Sequence, residues 1–415
     1  MIRRGVRRPV LRRWALAAPL AVGWLWFATA PAPAASPPHL SVRAAILIEQ
    51  STGRELFGVN PNQELAIAST TKLMTALLTL EHERRLGRVL RQNDYYPSSV
   101  DSQIGLVPGE QMSVHDLLLA LMLPSADDAA EDLAYNVGHG VGHFVGMMNV
   151  RARQLRLTHT HYTTPSGLDT PGNYSSASDL VRLASYDLTH SRFFARIVAL
   201  PSAVLHSGDH IRYVVNRNDL VGRVPWINGV KTGHTAEAGY VLIASGHRDG
   251  MTLLSAVLGT ADVGSRDANT LALLNYGFAN FHLVTPVRKG RVLANAAVRY
   301  RAGVRAELIA SRTFMQVFPR SLSVHTSVDA PRQLSGPLAA GTIVGTAIVR
   351  AGTRVVARIP LVLKRSLPAV SGLTIAGRAI TRPASLVAIA AVVLAAGGFS
   401  RIRHRRGFRV DGPAR

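Results

Sequence analysis

Apolar and polar positions change their rhythm three times along this chain. Ala44-Ala45-Ile46-Leu47-Ile48 is an unbroken apolar run closed by the turn signal Ser51-Thr52-Gly53, which predicts a buried strand. From residue 69 the spacing lengthens to a helical period. Leu73, Leu77 and Leu80 share one face of a helix predicted over 69–83. Further helices are predicted over 114–123, 127–137 and 142–155, separated by Pro124 and the Gly138–Gly142 segment. Another runs near 177–189, with Ser176 or Ser178 available to cap it. The period then shortens to two. Tyr240–Ala244 and Thr252–Val257 read as paired strands joined at Arg248-Asp249-Gly250, and a helix at about 265–280 follows. Strands at both ends of a helical block predict an α/β (α+β) domain over 40–282, a sheet with a helical subdomain.

From about 283 the composition shifts again. Short β-branched runs such as Thr342-Ile343-Val344 and Arg354-Val355-Val356-Ala357 alternate with Gly and Pro turns, predicting a small all-β domain over 283–368. Residues 384–399 are apolar and uncharged, and Arg401, Arg403, Arg405 and Arg406 follow. The run is short against the about 20 residues a bilayer usually takes, and Arg382 can snorkel to extend it. A transmembrane anchor over 383–400 is expected, and the arginines behind it place a basic tail, 401–415, in the cytoplasm.

The N-terminus carries a second hydrophobic signal. Arg3, Arg4, Arg7, Arg8, Arg12 and Arg13 precede an apolar stretch from Trp14 to Ala30, and Ala32-Pro33-Ala34 supplies a small-residue cleavage pattern. Residues 1–34 therefore read as a secretory signal peptide. Export agrees with a chain of 415 residues, 47% hydrophobic and 17% charged, which is globular in composition and needs no disulfide staple. The complete lack of cysteine excludes disulfides, a thiolate nucleophile and thiolate metal sites.

Charge narrows the partners. Of the net +22, the arginines of residues 1–13 contribute +6 and residues 401–415 contribute +5, leaving +11 for the body. No helix-turn-helix, zinc-finger or RNA-binding signature accompanies that charge, so no nucleic acid is expected. The pairs His139/His143 and His159/His161 lack a supporting glutamate pattern, and neither a metal nor a cofactor is expected. Tyr95, Tyr96, Trp226 and Tyr240 read as packing residues.

Three short motifs carry the candidate chemistry. Ser69-Thr70-Thr71-Lys72 opens a helix, and a spacing of three puts hydroxyl and amine on one face. A serine becomes a useful nucleophile when a neighbouring base takes its proton, and lysine can be that base once burial or a nearby cation lowers its pKa. The helix start adds positive potential where an oxyanion would form. Ser125-Ala126-Asp127 follows Pro124 at the head of a helix, where Ser and Asp also make ordinary N-caps. Lys231-Thr232-Gly233, placed before a strand expected at a sheet edge, offers a charge, a hydroxyl and room for a ligand to approach the backbone. Each motif alone has an ordinary structural explanation.

Together, in this order, they approximate S-x-x-K, S-x-N and K-T-G, the signature of penicillin-binding proteins and serine β-lactamases. The surrounding text, Ala68–Ala76, Leu123–Ala130, Thr164-Pro165-Ser166-Gly167-Leu168-Asp169, Ser178-Asp179-Leu180 and Gly229–Thr235, resembles the low-molecular-weight D-alanyl-D-alanine carboxypeptidases, serine peptidase family S11, over roughly residues 40–282. The resemblance implies a β-lactamase/transpeptidase-like mixed sheet with flanking helices, and a β-sandwich-like module holding the catalytic domain off the membrane. It implies a serine carboxypeptidase acting on peptidoglycan stem peptides, with β-lactam antibiotics as covalent inhibitors. By position, Ser69 would form the acyl-enzyme, Lys72 accept its proton, and Ser125 relay a proton to the leaving D-alanine. Lys231 would bind substrate and Thr232 its terminal carboxylate. The backbone N–H groups of Ser69 and His234 would form the oxyanion hole, and Arg217 matches an arginine associated with carboxylate recognition.

One position departs from the family. Asp127 stands where asparagine is usual. An ionised carboxylate only accepts hydrogen bonds, and it raises the pKa of nearby lysines, which weakens Lys72 as a base. A serine β-lactamase and a catalytically silent cell-wall binding protein remain as alternatives.

Overall fold

The structure, a computed structural model, describes residues 36–370 and 387–395. The signal sequence expected over 1–34, the basic tail over 401–415 and both ends of the apolar run, 384–386 and 396–399, lie outside the described residues. Residues 387–395 are helical and exposed. Among the described residues no helix is long and apolar enough to cross a membrane.

The first region is built on five strands: β1 (Ala44–Glu49), β2 (Arg54–Val59), β3 (Ile227–Thr235), β4 (Gly239–Arg248) and β5 (Met251–Thr260), ordered β2-β1-β5-β4-β3. The expected mixed sheet is corrected here, because every neighbouring pair in this sheet runs antiparallel. The reason lies in the connections. β1–β2 and β3–β4–β5 are hairpins, and the one long excursion, from β2 to β3, returns to the far edge rather than beside a parallel partner. The β4–β5 turn is Asp249-Gly250, with φ of +52° and +72°, the left-handed pair that a two-residue hairpin needs.

β1 is unbroken in its hydrophobicity because both of its faces are covered. Ala44, Ile46 and Ile48 join the core beneath the helical subdomain, whereas Ala45 and Leu47 face Leu273, Leu274 and Phe278 on the other side. β4 and β5 divide in the same way, with Ile243 and Leu254 on one face and Leu242 and Leu253 on the other.

The helical subdomain fills the excursion between β2 and β3. It comprises α1 (Lys72–His82), α2 (Val114–Met122), α3 (Asp127–Gly138), α4 (Val141–Gln154) and α5 (Ala177–His190), and α6 (Val263–Asn280) covers the opposite sheet face. Ser113, Ser176 and Asp262 cap α2, α5 and α6 by accepting backbone N–H bonds. The region beyond is all-β. A six-stranded sheet holds, in order, Val324–Asp329, Ile343–Ala351, Arg354–Leu363, Arg305–Ala310, Val292–Val298 and Gln333–Leu334, around a separate apolar cluster that includes Leu308, Val349 and Leu361.

Candidate active site

The expected helix start at residue 69 is a 3-10 turn, Ala68–Thr71, that runs into α1 at Lys72. Ala68 sits at φ +48°, an uncommon conformation for a side-chain-bearing residue. The turn leaves Ser69 half-buried, while Lys72 beneath it is fully buried at 0% exposure. The lysine is therefore no solvated helix residue.

The Lys72 Nζ has three polar neighbours. It lies 2.9 Å from Ser69 Oγ, 2.5 Å from Asp127 Oδ1 and 2.7 Å from the Ser166 carbonyl. As an ammonium it donates to all three. As a neutral amine it has two N–H bonds and one lone pair. Asp127 and the Ser166 carbonyl can only accept, so they take the two N–H bonds and the lone pair is left facing Ser69. That is the geometry a proton acceptor for the serine hydroxyl requires.

Ser125 and Asp127 are not helix caps. Ala126 is the N-cap of α3 and makes no side-chain bond, while Ser125 takes φ +69° just before it. Asp127 has a different set of partners. Its Oδ2 accepts from the Ser102 N–H at 3.1 Å, and its own N–H donates to the Ser102 carbonyl at 2.6 Å. Ser125 Oγ accepts from Lys231 Nζ at 2.8 Å, and that lysine also donates to the Thr232 carbonyl at 3.0 Å. Lys231-Thr232-Gly233 lies within β3, the edge strand, rather than before it.

Two glycines permit the convergence. A Cβ on Gly233 would stand 3.0 Å from the Ile67 carbonyl and 3.1 Å from the Ser69 nitrogen, so a side chain there would hold β3 back from the serine turn. A Cβ on Gly167, at φ +90°, would fall 2.0 Å from the Ala68 carbonyl. The segment that brings the Ser166 carbonyl to Lys72 thus depends on glycine.

Electrostatics sharpen the picture. Burial lowers the Lys72 pKa; the adjacent Asp127 opposes this by raising it, and the Arg217 guanidinium adds to the lowering. The net direction is down, so the expected weakening by Asp127 occurs but burial outweighs it. Lys231 falls well below its ordinary value, through burial first and then repulsion from Lys72 and Arg217. One turn along α3 from Asp127, Glu131 is pushed up to about 7 by burial and by the Asp127 charge. Burial and the same carboxylates raise Tyr95.

Ser69, Lys72, Ser125, Asp127 and Lys231 are thus gathered into one site. The Arg217 side chain is exposed and its charge reaches both lysines, although its backbone N–H, not its guanidinium, is the group held, by the Leu123 carbonyl at 3.0 Å. It borders a cleft of about 730 Å³, also lined by Gln103, Pro124 and Tyr213. His234 is exposed and stacks on Tyr240 with ring centroids 4.0 Å apart. The Thr232 hydroxyl has no hydrogen-bond partner among the described residues. His139 ends α3 in a left-handed conformation, and His143 bonds the Gly138 carbonyl. Three contributors were absent from the sequence reading as site members: the Ser166 carbonyl, the Ser102 backbone and Glu131. Ser-Gly at 166–167 was the available signal for the first; a backbone group has no side-chain signature of its own, and Glu131 is marked by its i+4 spacing from Asp127.

Comparison with known proteins bears on this geometry. The D-alanyl-D-alanine carboxypeptidase family matches residues 31–262. The D-alanyl-D-alanine carboxypeptidase DacF of Bacillus subtilis is 28% identical over 332 residues, covering 78% of this chain and 85% of the relative. DacC of Escherichia coli is 30% identical over 350 residues, covering 80% and 85%. Penicillin binding protein 5 from Haemophilus influenzae superposes with a TM-score of 0.66 at 27% identity, covering 80% of this chain and 99% of that one. The Streptomyces K15 DD-transpeptidase superposes with a TM-score of 0.56 at 29% identity, covering 59% of this chain and all of that one.

Proposed function

Because this chain belongs to the D-alanyl-D-alanine carboxypeptidase family, we propose that it removes the terminal D-alanine of peptidoglycan stem pentapeptides through an acyl-enzyme on Ser69. The observation that carries the assignment of residues is the buried Lys72 amine, 2.9 Å from the serine oxygen, with its other two neighbours able only to accept.

Lys72 takes the Ser69 proton as Oγ attacks the carbonyl carbon of the penultimate D-alanine. The oxyanion forms against the backbone N–H groups of Ser69 and His234. Stabilisation here counts only where it is greater than in the ground state. Ser125, held by Lys231, passes its proton to the departing amine of the last D-alanine and is reprotonated through the lysines. Water then cleaves the ester, with Lys72 as base. Lys231, Thr232 and Arg217 bind the terminal carboxylate, and Asp127 orients the base. β-lactams enter the same pocket and acylate Ser69.

The chain is read as exported by a signal peptide over 1–34, with a catalytic domain over 40–282 and a β-rich domain over 283–368. A membrane anchor over 383–400 holds it on the extracytoplasmic face, with 401–415 inside. The Lys72–Asp127 ion pair is the one observation in favour of a catalytically silent relative, because it stabilises the ammonium. Intact mass after benzylpenicillin treatment, with the adduct mapped, separates the readings. The expected result is one adduct on the peptide holding Ser69, none in Ser69→Ala and slowed formation in Ser125→Ala. Equal labelling of wild type and Ser69→Ala would falsify the nucleophile. Release of D-alanine from a pentapeptide, compared with nitrocefin turnover, distinguishes a carboxypeptidase from a β-lactamase.

A further inference from the structure

The net charge of the folded body is divided unequally. Residues 36–282 carry nineteen Arg and Lys against twenty-two Asp and Glu, a net of −3. Residues 283–368 carry fourteen Arg and Lys against Glu307 and Asp329, a net of +12. Within that β-rich region Lys364 pairs with Glu307 at 2.8 Å, and Arg320 reaches Asp249 at 3.7 Å. Among the described residues the other twelve cations have no carboxylate within 4.0 Å.

Several of these cations share one face. Along Ile343–Ala351, the odd positions Ala347 and Val349 point into the core, so Ile348 and Arg350 point outward. Arg358 is registered opposite Ile348 and so lies on the same outer face. Arg312 donates to the Arg358 carbonyl at 3.5 Å, and Arg305 alternates with the buried Ala306 and Leu308. Arg305, Arg312, Arg350 and Arg358 are all exposed. A sheet face spaces such charges over a broad surface, because neighbouring strands stand about 4.8 Å apart. The outward positions of Arg305–Ala310, Ile343–Ala351 and Arg354–Leu363 offer no Phe, Tyr or Trp on which a base could stack, although the exposed His325 imidazole stands opposite Arg350.

We infer that this arginine-bearing face of the β-rich domain docks on anionic phospholipid headgroups. The four arginines on this face repel one another unless an anionic partner covers them, and a membrane surface carrying acidic lipids attracts basic residues within about a Debye length. The last strand of the sheet ends at Leu363, some 20 residues before the apolar run, so the face is within reach of the bilayer. The inference takes that proximity from the anchored reading above. Its consequence is a fixed stance: the near-neutral catalytic domain is carried by a charged base rather than swinging on a tether.

The absence of cysteine makes a direct test possible. Asn295, exposed and on an outward position of Val292–Val298, is replaced as Asn295→Cys and labelled with a donor dye. The full chain is reconstituted in vesicles whose headgroups carry the acceptor. Energy transfer is expected to be higher in vesicles of phosphatidylcholine with phosphatidylglycerol than in phosphatidylcholine alone, and to fall when salt is added. The gain is expected to be lost in the triple variant Arg312→Gln/Arg350→Gln/Arg358→Gln, which leaves both basic chain ends intact. Equal transfer in the two lipids, or an undiminished gain in the triple variant, overturns the inference. So does binding of a soluble polyanion by the chain while transfer stays flat. A chain that leaves phosphatidylcholine vesicles refutes the anchor alone, because arginine-dependent retention by phosphatidylglycerol vesicles still reads the docking face.

Discussion

Lys72 shows how a carboxylate in an unusual place can both oppose a neutral amine and orient it. Asp127 stabilises the ammonium, yet together with the Ser166 carbonyl it occupies both N–H bonds of the neutral amine and aims the lone pair. The two effects separate in Asp127→Asn. Loss of the anion lowers the Lys72 pKa further, so the neutral base is present at lower pH. The acidic limb of the acylation-rate profile is expected to move to lower pH, read from penicillin acylation rates across a pH series. A limb that stays in place would mean that Lys72 does not set it. Lys72→Ala, in turn, is expected to slow acylation by about 10²–10⁴-fold, the usual weight of a general base. A second carboxyl shows the same physics without a function attached. Asp187 is buried in α5, neither of its carboxyl oxygens meets a donor among the described residues, and burial raises its pKa well above the ordinary range. The folded state keeps this proton where the unfolded chain releases it, so the folded state loses stability as pH rises from the ordinary carboxylate range toward the folded-state pKa. Asp187→Asn removes that slope. Its melting temperature is expected to gain on wild type between about pH 5 and pH 8, and a constant difference across that range would contradict the assignment.

At the scale of elements, the site is three segments pressed together where side chains are lacking. Gly233→Ala places a methyl group against the Ile67 carbonyl and the Ser69 nitrogen, so β3 must retreat by a few tenths of an ångström. Acylation is expected to fall by up to roughly 10²-fold while the melting temperature moves little, because misplacement of reacting groups costs rate before stability. A melting shift as large as the rate loss would show the strand to be structurally rather than positionally essential. The elements themselves were largely legible. Helices at 114–122, 127–138 and 177–190 announce themselves by period and punctuation, and the Asp249-Gly250 hairpin by its turn residues. Other features left no such mark. The 3-10 turn at Ala68–Thr71 is too short for a period. Lys231-Thr232-Gly233 has the composition of a turn but is held as strand by pairing with Ile243, Leu242 and Val241. Ser125 and Asp127 have the residue types of a cap, and only their partners, Lys231 and Lys72, reveal otherwise. The motif order made the converging side chains readable; the Ser166 carbonyl was not, since any residue could supply it.

Across the whole molecule, the pairing of β1 is the feature with the widest reach. This first strand lies second in the sheet and joins β5, setting Ala44 against Leu258 and Glu49 against Leu253. Both halves of the core stay open until that partner arrives, and loop closure over such a separation is slow. During synthesis β1 can pair at once with its hairpin neighbour β2, but its other edge waits for β5, which lies near the far end of the domain. The late partner is thereby a folding checkpoint: however early β2 zips onto β1, the two-faced core closes only once β5 is in place.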